Sequence, residues 1–290
     1  MEKYVPAPGE LVLDHVAHFV PDLVAARGAL QAMGFAVTPE SAQSSPDGPA
    51  GTSNVTVMLP QGYLEFLAPT MDTPNAARLR ATMSRYCGVH LACFGTPAAA
   101  AEHARLATHG FAPLPLVELG RETETGRAQF KLIRCAPEAM PEGRVQFVEH
   151  LSPEVIWHER WMGHANGVRK LACVFVVADD PVAVAARWAH FAALLPRPAG
   201  RFVHLRTDRG DVLVGRRGEW EQLFGDKVPA APALAGYALE CEDPEGLARR
   251  VLLAGAAVRK LRPRLFAAGL PAALGGNWVV GTAAALALDG

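Results

Sequence analysis

The sequence has little of what marks nucleic-acid-binding, disulfide-bonded or secreted proteins. Basic and acidic residues nearly balance at a net charge of −1, so we expect neither a nucleic-acid partner nor a membrane partner. The five cysteines are an odd number without a C-x-x-C pair, and we expect buried, reduced thiols. Residues 1–10 contain no basic region followed by an apolar run. We therefore expect no signal peptide and a cytoplasmic location.

A long uninterrupted apolar segment is also missing. The chain from Leu265 to Leu288 is apolar, but Pro271 and glycines such as Gly275 interrupt it, which favours strands and turns over a transmembrane helix. Half of the 290 residues are apolar and a fifth are charged. This composition is typical of globular proteins, and the length allows two domains.

What the sequence does contain is a unit that recurs four times, an alternating strand followed by a proline that opens a helix. The two clearest copies are Leu13–Val20 before Pro21 and Gly88–Phe94 before Pro97. The other two copies end in Asp180-Pro181 and Asp243-Pro244, where aspartate suits the N-cap and proline the first helical position. The copies lie far apart and at uneven intervals, which predicts a few packed modules and not a solenoid.

Each of the first two units continues into further strands, so the predicted order is strand, helix, three strands. The first module has a predicted helix Pro21–Met33 and strands Thr52–Leu59 and Tyr63–Leu67. Its segment Val37–Gly51 is rich in Ser, Pro, Gly and Asp, which predicts a surface loop at the rim of a pocket. The second module has a predicted helix Pro97–His109 and strands Phe111–Glu118, Arg127–Cys135 and Arg144–His150.

The second half of the chain repeats this pattern more loosely. Its predicted elements are the helices Pro181–Leu195 and Pro244–Leu253 and a hairpin of Phe202–Arg206 and Val212–Val214. Residues 152–167 lack clean periodicity and are interpreted as a structured connector. We therefore expect a first domain of two modules at residues 1–152 and a degenerate second domain of two modules at residues 153–290.

Two metal-ligating side chains recur at matching places in the first two modules. His15 and His90 lie on the opening strands, and aligning the closing strands on the prolines that follow them matches Glu65 with Glu149. Burying two carboxylates without partners is unfavourable, and a cation at their meeting point would remove that penalty. The second half lacks the set, because Lys170 and Tyr237 stand at the histidine positions.

The neighbours of these residues are assigned by the alternation of side chains along a strand. His18 is expected to point away from His15, and His150 away from Glu149. The second-module strands also carry basic side chains, which most often face solvent. They are Lys131, Arg134 and Arg144.

This arrangement resembles the vicinal oxygen chelate superfamily and, within it, the glyoxalase-like domain family. The stretches that carry the resemblance are Leu13–Val20, Gly62–Pro69 and His164–Gly167. The resemblance implies an α+β fold of tandem βαβββ modules, four in all, forming two curled, mostly antiparallel sheets. It also implies a divalent metal ion inside the cup of the first sheet, Zn, Ni, Mn or Fe, with ligands His15, Glu65, His90 and Glu149.

Such a site implies a metal-dependent lyase or isomerase that acts on a small substrate with vicinal oxygens. The metal would stabilise an enediolate or oxyanion, and Glu65 or Glu149 would be the general base. A ring-cleaving extradiol dioxygenase, with His15, His90 and Glu149 as ligands, is one alternative. A metal-free binding protein of the bleomycin-resistance type is another. The expected partner is the small-molecule substrate, and both a monomer and a homodimer are open.

Overall fold

A computed structural model describes residues 4–45 and 48–287 of the chain. Two eight-stranded sheets account for its β structure. The first sheet closes into a barrel in the strand order β1-β4-β3-β2-β6-β7-β8-β5. Its strands are β1 (Val12–Phe19), β2 (Ser41–Ser45), β3 (Gly48–Met58), β4 (Tyr63–Pro69), β5 (Gly88–Gly95), β6 (Val117–Thr123), β7 (Gly126–Arg134) and β8 (Arg144–His150).

The barrel confirms the predicted strand–helix–three-strand modules. In each module the opening strand runs parallel to the closing strand, β1 beside β4 and β5 beside β8. The two opening strands pair with each other in antiparallel fashion and so join the modules. The closing strand of the second module, Arg144–His150, has the predicted bounds.

Two parts of the barrel differ from the sequence prediction. The predicted loop Val37–Gly51 contains β2 and the start of β3, while Pro46 and Asp47 within it lie outside the described residues. Strand β2 lacks apolar alternation because it faces the polar interior of the barrel, where Gln43 lines the cavity. The predicted strand Phe111–Glu118 begins later, as β6.

The barrel has one weakly paired seam, between β2 and β6. The described ladder there consists of a single pair, Ser44 with Gly120. Two side-chain hydrogen bonds add to it: Ser41 Oγ donates to the Glu122 carbonyl and Ser44 Oγ donates to the Gly120 carbonyl, at 2.7 and 3.1 Å. A cavity of about 310 Å³ lies at this seam and is lined by residues from both strands, among them Ser41 and Glu122.

The second sheet is open, with the strand order β10-β11-β12-β9-β13-β16-β15-β14. Its strands are β9 (Val168–Val177), β10 (Pro196–Ala199), β11 (Phe202–Leu205), β12 (Asp211–Gly215), β13 (Ala233–Cys241), β14 (Ala257–Arg262), β15 (Leu265–Gly269) and β16 (Asn277–Gly281). It repeats the barrel's pattern, since β9 runs parallel to β12, β13 runs parallel to β16, and β9 and β13 are antiparallel.

The described residues form eight α-helices, several of which begin at a capping side chain. They are α1 (Leu23–Ala32), α2 (Pro74–Met83), α3 (Ala99–Thr108), α4 (Pro153–Ile156), α5 (Pro181–Ala192), α6 (Arg217–Phe224), α7 (Pro244–Leu253) and α8 (Ala283–Leu286). Asp180 and Asp243 cap α5 and α7, and proline takes the first helical position in both, as predicted. Pro21 instead precedes the cap Asp22, whose carboxylate accepts from the Val24 and Ala25 amides. Among the described residues no helix is long and apolar enough to cross a membrane.

One hydrophobic core joins the two sheets. It contains Val16 and Phe94 from the barrel together with Val174, Tyr237 and Trp278 from the second sheet, all of them buried. The backbone also links the halves, because the Leu13 amide donates to the Arg209 carbonyl at 2.8 Å. The sheets separate at the connector, which carries α4, but independent folding of residues 1–152 and 153–290 stays a prediction.

Candidate functional site inside the barrel

The barrel encloses a small polar cavity of about 50 Å³. A water molecule occupies about 30 Å³ in the liquid, so this space accommodates a group of a few atoms. The lining combines the imidazole of His15 and the carboxylate of Glu65 with amides and guanidinium groups. The other polar lining residues are Gln43, Asn54, Arg121, Arg134, Arg144 and Gln146.

His15 is oriented by its neighbour Asp14. Asp14 Oδ1 lies 2.7 Å from His15 Nδ1, and Asp14 Oδ2 lies 3.0 Å from His150 Nε2. With Nδ1 bonded in this way, Nε2 is the nitrogen of His15 left for the cavity, and it lies 3.9 Å from Glu65 Oε2. The carboxylate therefore fixes the orientation of the ring, as in other acid–base sites.

The contacts between His15 and Asp14 also set the charges of these two residues. Burial disfavours the charged imidazole, but Cys93 and Asp14 outweigh it and raise the pKa of His15 well above its ordinary 6.5. We attribute this direction to Asp14, because burial raises the pKa of the Cys93 thiol and keeps it neutral near pH 7. Burial also disfavours a charged Asp14, but His150 and His15 together lower the pKa of that carboxyl. At neutral pH the pair is an imidazolium next to a carboxylate.

Glu65 is held by amide donors. Its Oε1 accepts hydrogen bonds from Asn54 Nδ2 at 2.5 Å and Gln43 Nε2 at 3.2 Å. Asn54 Oδ1 in turn accepts from Arg121 Nη1 at 2.9 Å, which fixes the amide orientation. The second carboxylate oxygen, Oε2, is thus the one directed toward His15.

Two half-buried guanidinium groups, those of Arg134 and Arg144, complete the cavity wall. Neither forms a salt bridge with a carboxylate in residues 4–45 or 48–287, and Arg134 Nε is buried without a hydrogen-bond partner there. Burial and then the neighbouring Arg134 lower the pKa of Arg144 to about 10. Burial and then Arg78, on α2, lower the pKa of Arg134. The cavity therefore contains excess positive charge, which favours an anion.

Of the four residues expected to ligate a metal, the structure brings His15 and Glu65 together but not His90 and Glu149. His90 Nε2 lies 2.8 Å from the Tyr86 carbonyl, and its ring packs 4.0 Å from that of Tyr86. Burial lowers the pKa of His90 to about 4. Glu149 lies at the start of α3, where its Oε2 accepts from the Ala99 amide at 2.8 Å.

The physical reason is register. On β8 the cavity is lined by the alternating residues Arg144, Gln146 and Val148, so Glu149 belongs to the other face. Aligning the closing strands on the prolines that follow them matches Glu65 with a residue an odd number of positions from its structural equivalent, Gln146, and an odd shift exchanges the two faces of a strand. On β5 the residue opposite His15 is Cys93 and not His90.

The two neighbouring histidines differ in their relation to the site. His18 points away from His15, as expected, into the contact between the sheets, where its Nε2 lies 2.9 Å from Tyr237 Oη and its Nδ1 lies 3.0 Å from the Leu274 carbonyl. His150 points away from Glu149, as expected, but it is His150 and not Glu149 that faces inward and contacts Asp14, because it shares a face with Gln146. Asp14 was missed in the sequence analysis, and Arg134 and Arg144 were assigned to solvent.

The residues gathered in the cavity do not fit a divalent cation. Among the described residues no group of three or more His, Cys, Asp or Glu side chains is placed to hold a metal ion. The cavity offers two such donors, His15 and Glu65, beside three guanidinium groups that repel a cation. Ligation by the full set of His15, Glu65, His90 and Glu149 stays a prediction, and this geometry does not favour it.

Comparison with known proteins agrees with the architecture. A family model described as a glyoxalase-like domain matches residues 13–192. The chain belongs to the glyoxalase-like domain family. This confirms the resemblance and the α+β fold of βαβββ modules that it implied. A search of curated proteins found no match.

Solved structures show the same fold across nearly the whole chain. A hypothetical protein from Staphylococcus aureus has 11% identity and a TM-score of 0.62, covering 94% of this chain and 99% of that chain. A mutant of 4-hydroxymandelate synthase from Streptomyces coelicolor has 13% identity and a TM-score of 0.56, covering 94% of both chains. A catechol 2,3-dioxygenase has 12% identity and a TM-score of 0.57, covering 93% of this chain and 87% of that chain. At these identities the likeness shows the fold alone.

Proposed function

We propose that this glyoxalase-like protein binds a small anionic carbonyl compound inside the barrel and transfers a proton to and from it. The observation that carries the proposal is the meeting of two guanidinium groups lacking a carboxylate partner, Arg134 and Arg144, with the His15–Glu65 pair in one cavity. The reaction class is that of a lyase or isomerase, with guanidinium groups in the place of a metal ion.

Recognition of the anion follows from charge. A guanidinium group binds a carboxylate or phosphate through two parallel hydrogen bonds. Without an anion, Arg134 and Arg144 repel each other in a partly buried site, and the pKa of Arg144 is lowered first by burial and then by this repulsion. Binding an anion removes this repulsion. The cavity volume of about 50 Å³ limits the bound group to a few atoms.

Proton transfer follows from the His15–Glu65 pair. Glu65 Oε2 removes a proton from the carbon next to the carbonyl, and the electron pair of that C–H bond forms the carbon–carbon double bond of an enol. The imidazolium of His15 donates its Nε2 proton to the carbonyl oxygen, while Asp14 holds Nδ1. Return of a proton to the same or the neighbouring carbon gives exchange or isomerisation. The guanidinium groups stabilise the negative charge that develops on oxygen.

The first test is calorimetric titration with pyruvate, glycolate and phosphate, each at low and high salt. Methyl pyruvate is the uncharged counterpart of pyruvate and serves as the ligand control. We expect at least one of the anions to bind, methyl pyruvate to bind much more weakly, and Arg144→Gln to weaken anion binding by about tenfold. Lys131→Gln, on the neighbouring strand but outside the cavity lining, is the matched control. Equal binding of pyruvate and its ester would contradict the proposal.

The second test separates an enzyme from a binding protein. Deuterium uptake into the methyl group of pyruvate, followed by NMR in D₂O, reports proton abstraction directly. Exchange that persists after treatment with a chelator supports metal-free proton transfer. Anion binding without exchange of any tested carbonyl compound would leave the metal-free binding protein as the better account, and exchange that requires added metal would restore the metal-dependent one.

A further inference from the structure

The second sheet has a cavity of its own, unrelated to the barrel site. Its volume is about 420 Å³, within the range of pockets that bind drug-sized molecules. It lies on the face of the sheet opposite to the core shared with the barrel, since Phe175 lines the cavity while its neighbours Val174 and Val176 belong to that core. The family model ends at residue 192, so most of this cavity lies beyond the matched segment.

The floor of the cavity is aromatic and rigid. The ring of Trp220, on α6, lies 4.8 Å from that of Phe175 and 4.5 Å from that of Phe202. Trp220 Nε1 donates to the Val176 carbonyl at 2.9 Å, so the indole has a fixed orientation and no unsatisfied donor. Leu213 and Leu265 extend the apolar surface. Such a surface fits a flat apolar ligand.

The polar groups gather at one end, on the β11–β12 hairpin. Asp211 is already engaged: its Oδ2 lies 2.9 Å from His204 Nε2 and its Oδ1 accepts from the Thr207 amide at 3.2 Å. Arg206 lines the same end, is exposed, and forms no salt bridge with any carboxylate in the described part of the chain. The available charge at this end of the cavity is therefore positive.

Another part of the rim is formed by α8. Arg262 Nη2 donates to the Ala285 carbonyl at 2.6 Å, and Ala285 and Leu286 line the cavity. With α6 and α8 as walls, the space is a pocket and not a flat face, which suits a small molecule better than a protein surface.

We propose that this second pocket binds an aromatic small molecule that carries one acidic group. The apolar body packs against the floor formed by Phe175, Leu213 and Leu265, and the carboxylate, sulfonate or similar anion lies near Arg206. The inference does not depend on the proposed function of the barrel, because the two cavities share no lining residue.

The test is a fluorescence titration of the full-length protein with 8-anilinonaphthalene-1-sulfonate, whose uncharged analogue is N-phenyl-1-naphthylamine. We expect one site per chain for both probes, with energy transfer from tryptophan. Arg206→Gln should weaken sulfonate binding by about two- to fivefold, because an exposed ion pair is modest, and leave binding of the uncharged probe unchanged. Arg197→Gln, an exposed arginine on β10 outside the pocket lining, is the matched control and should affect neither probe.

A second variant blocks the pocket. Ala172 lines it and is half-buried, so Ala172→Phe fills the space and should abolish binding of both probes while circular dichroism stays unchanged. If Ala172→Phe does not fold, Leu286→Trp on the rim serves the same purpose. If either probe still binds to a folded variant with the pocket blocked, the proposal that the ligand binds in this pocket is wrong. Equal effects of Arg206→Gln on both probes would overturn the assignment of the anionic group.

Discussion

The barrel cavity and the second pocket are built from the same kind of module and have opposite chemistry. His15, Glu65 and Arg144 face the barrel cavity, whereas the second sheet presents Phe175 and Leu265 to its pocket. The barrel is closed and its cavity is small, whereas the second sheet is open and its pocket is large. The strand pairing is thus conserved between the halves, while the inward-facing side chains determine what each half can bind.

The largest effect that would test this contrast is expected from Glu65→Gln. Loss of the general base should slow deuterium exchange of a bound carbonyl compound by about 10²- to 10⁴-fold while anion binding persists. Probe binding to the second pocket should not change. Glu118→Gln, an exposed carboxylate on β6, is the control. An unchanged exchange rate in Glu65→Gln would remove the chemical distinction between the two cavities.

Asp14→Asn should destabilise the barrel by roughly 3 to 5 kcal/mol, because it leaves two buried imidazoles without their carboxylate. The raised pKa of His15 adds stability below about pH 6.5 that is lost as pH rises through the folded-state pKa. The lowered pKa of Asp14 adds stability above about pH 3.8 that is lost as pH falls. The difference in unfolding free energy between Asp14→Asn and wild type, measured by urea denaturation, should therefore be largest between these two pH values. A difference that grows toward alkaline pH would contradict this charge assignment.

His18 lies in the contact between the two halves, and its pKa shifts in the direction opposite to that of His15. Burial lowers the pKa of His18 to about 4, so its contribution is complete above pH 6.5 and is lost as pH falls from 6.5 to 4. The loss amounts to roughly 3 kcal/mol. In His18→Gln the unfolding free energy should decline less steeply over this range, measured by urea denaturation. An unchanged slope would show that His18 accepts a proton without disturbing the contact with Tyr237.

The smallest effect is expected from Glu149→Gln. A carboxylate that accepts a hydrogen bond at the start of α3 contributes about 0.5 to 1 kcal/mol, so the midpoint of thermal unfolding should fall slightly. Elemental analysis of wild type and this variant, both purified without a histidine tag, should show no difference in metal content. A metal ion present in wild type and lost in Glu149→Gln would instead support the ligand set predicted from the sequence.

The modules were predictable because their signals are local. Alternating strands and Asp-Pro caps depend on neighbouring residues alone. The same holds for the helix α7, whose bounds Pro244–Leu253 were predicted correctly. Strand β2 was not predictable, because a strand that faces a polar cavity has no apolar period.

Half of the expected site could be read from the sequence, and the rest depended on register. His15 and Glu65 lie on a parallel strand pair of one module, where the pattern assigned both to the inner face correctly. His90 and Glu149 were matched across modules, and an odd shift reverses the face. Asp14 had a local signal, a carboxylate inside an apolar strand beside a histidine. The inward direction of Arg134 and Arg144 had none, since basic residues on a strand usually face solvent.

The weak seam between β2 and β6 bears on the rate at which the barrel exchanges its ligand. A closed barrel admits a molecule only through an end or through a gap between strands, and the seam has one described ladder pair. Arg121 lines both the inner cavity and the 310 Å³ cavity at the seam, so a cation lies between the two cavities. We expect an anion to enter the inner cavity through this seam. The hydroxyls of Ser41 and Ser44, which bond across the seam, should then affect the residence time of the anion more than its affinity.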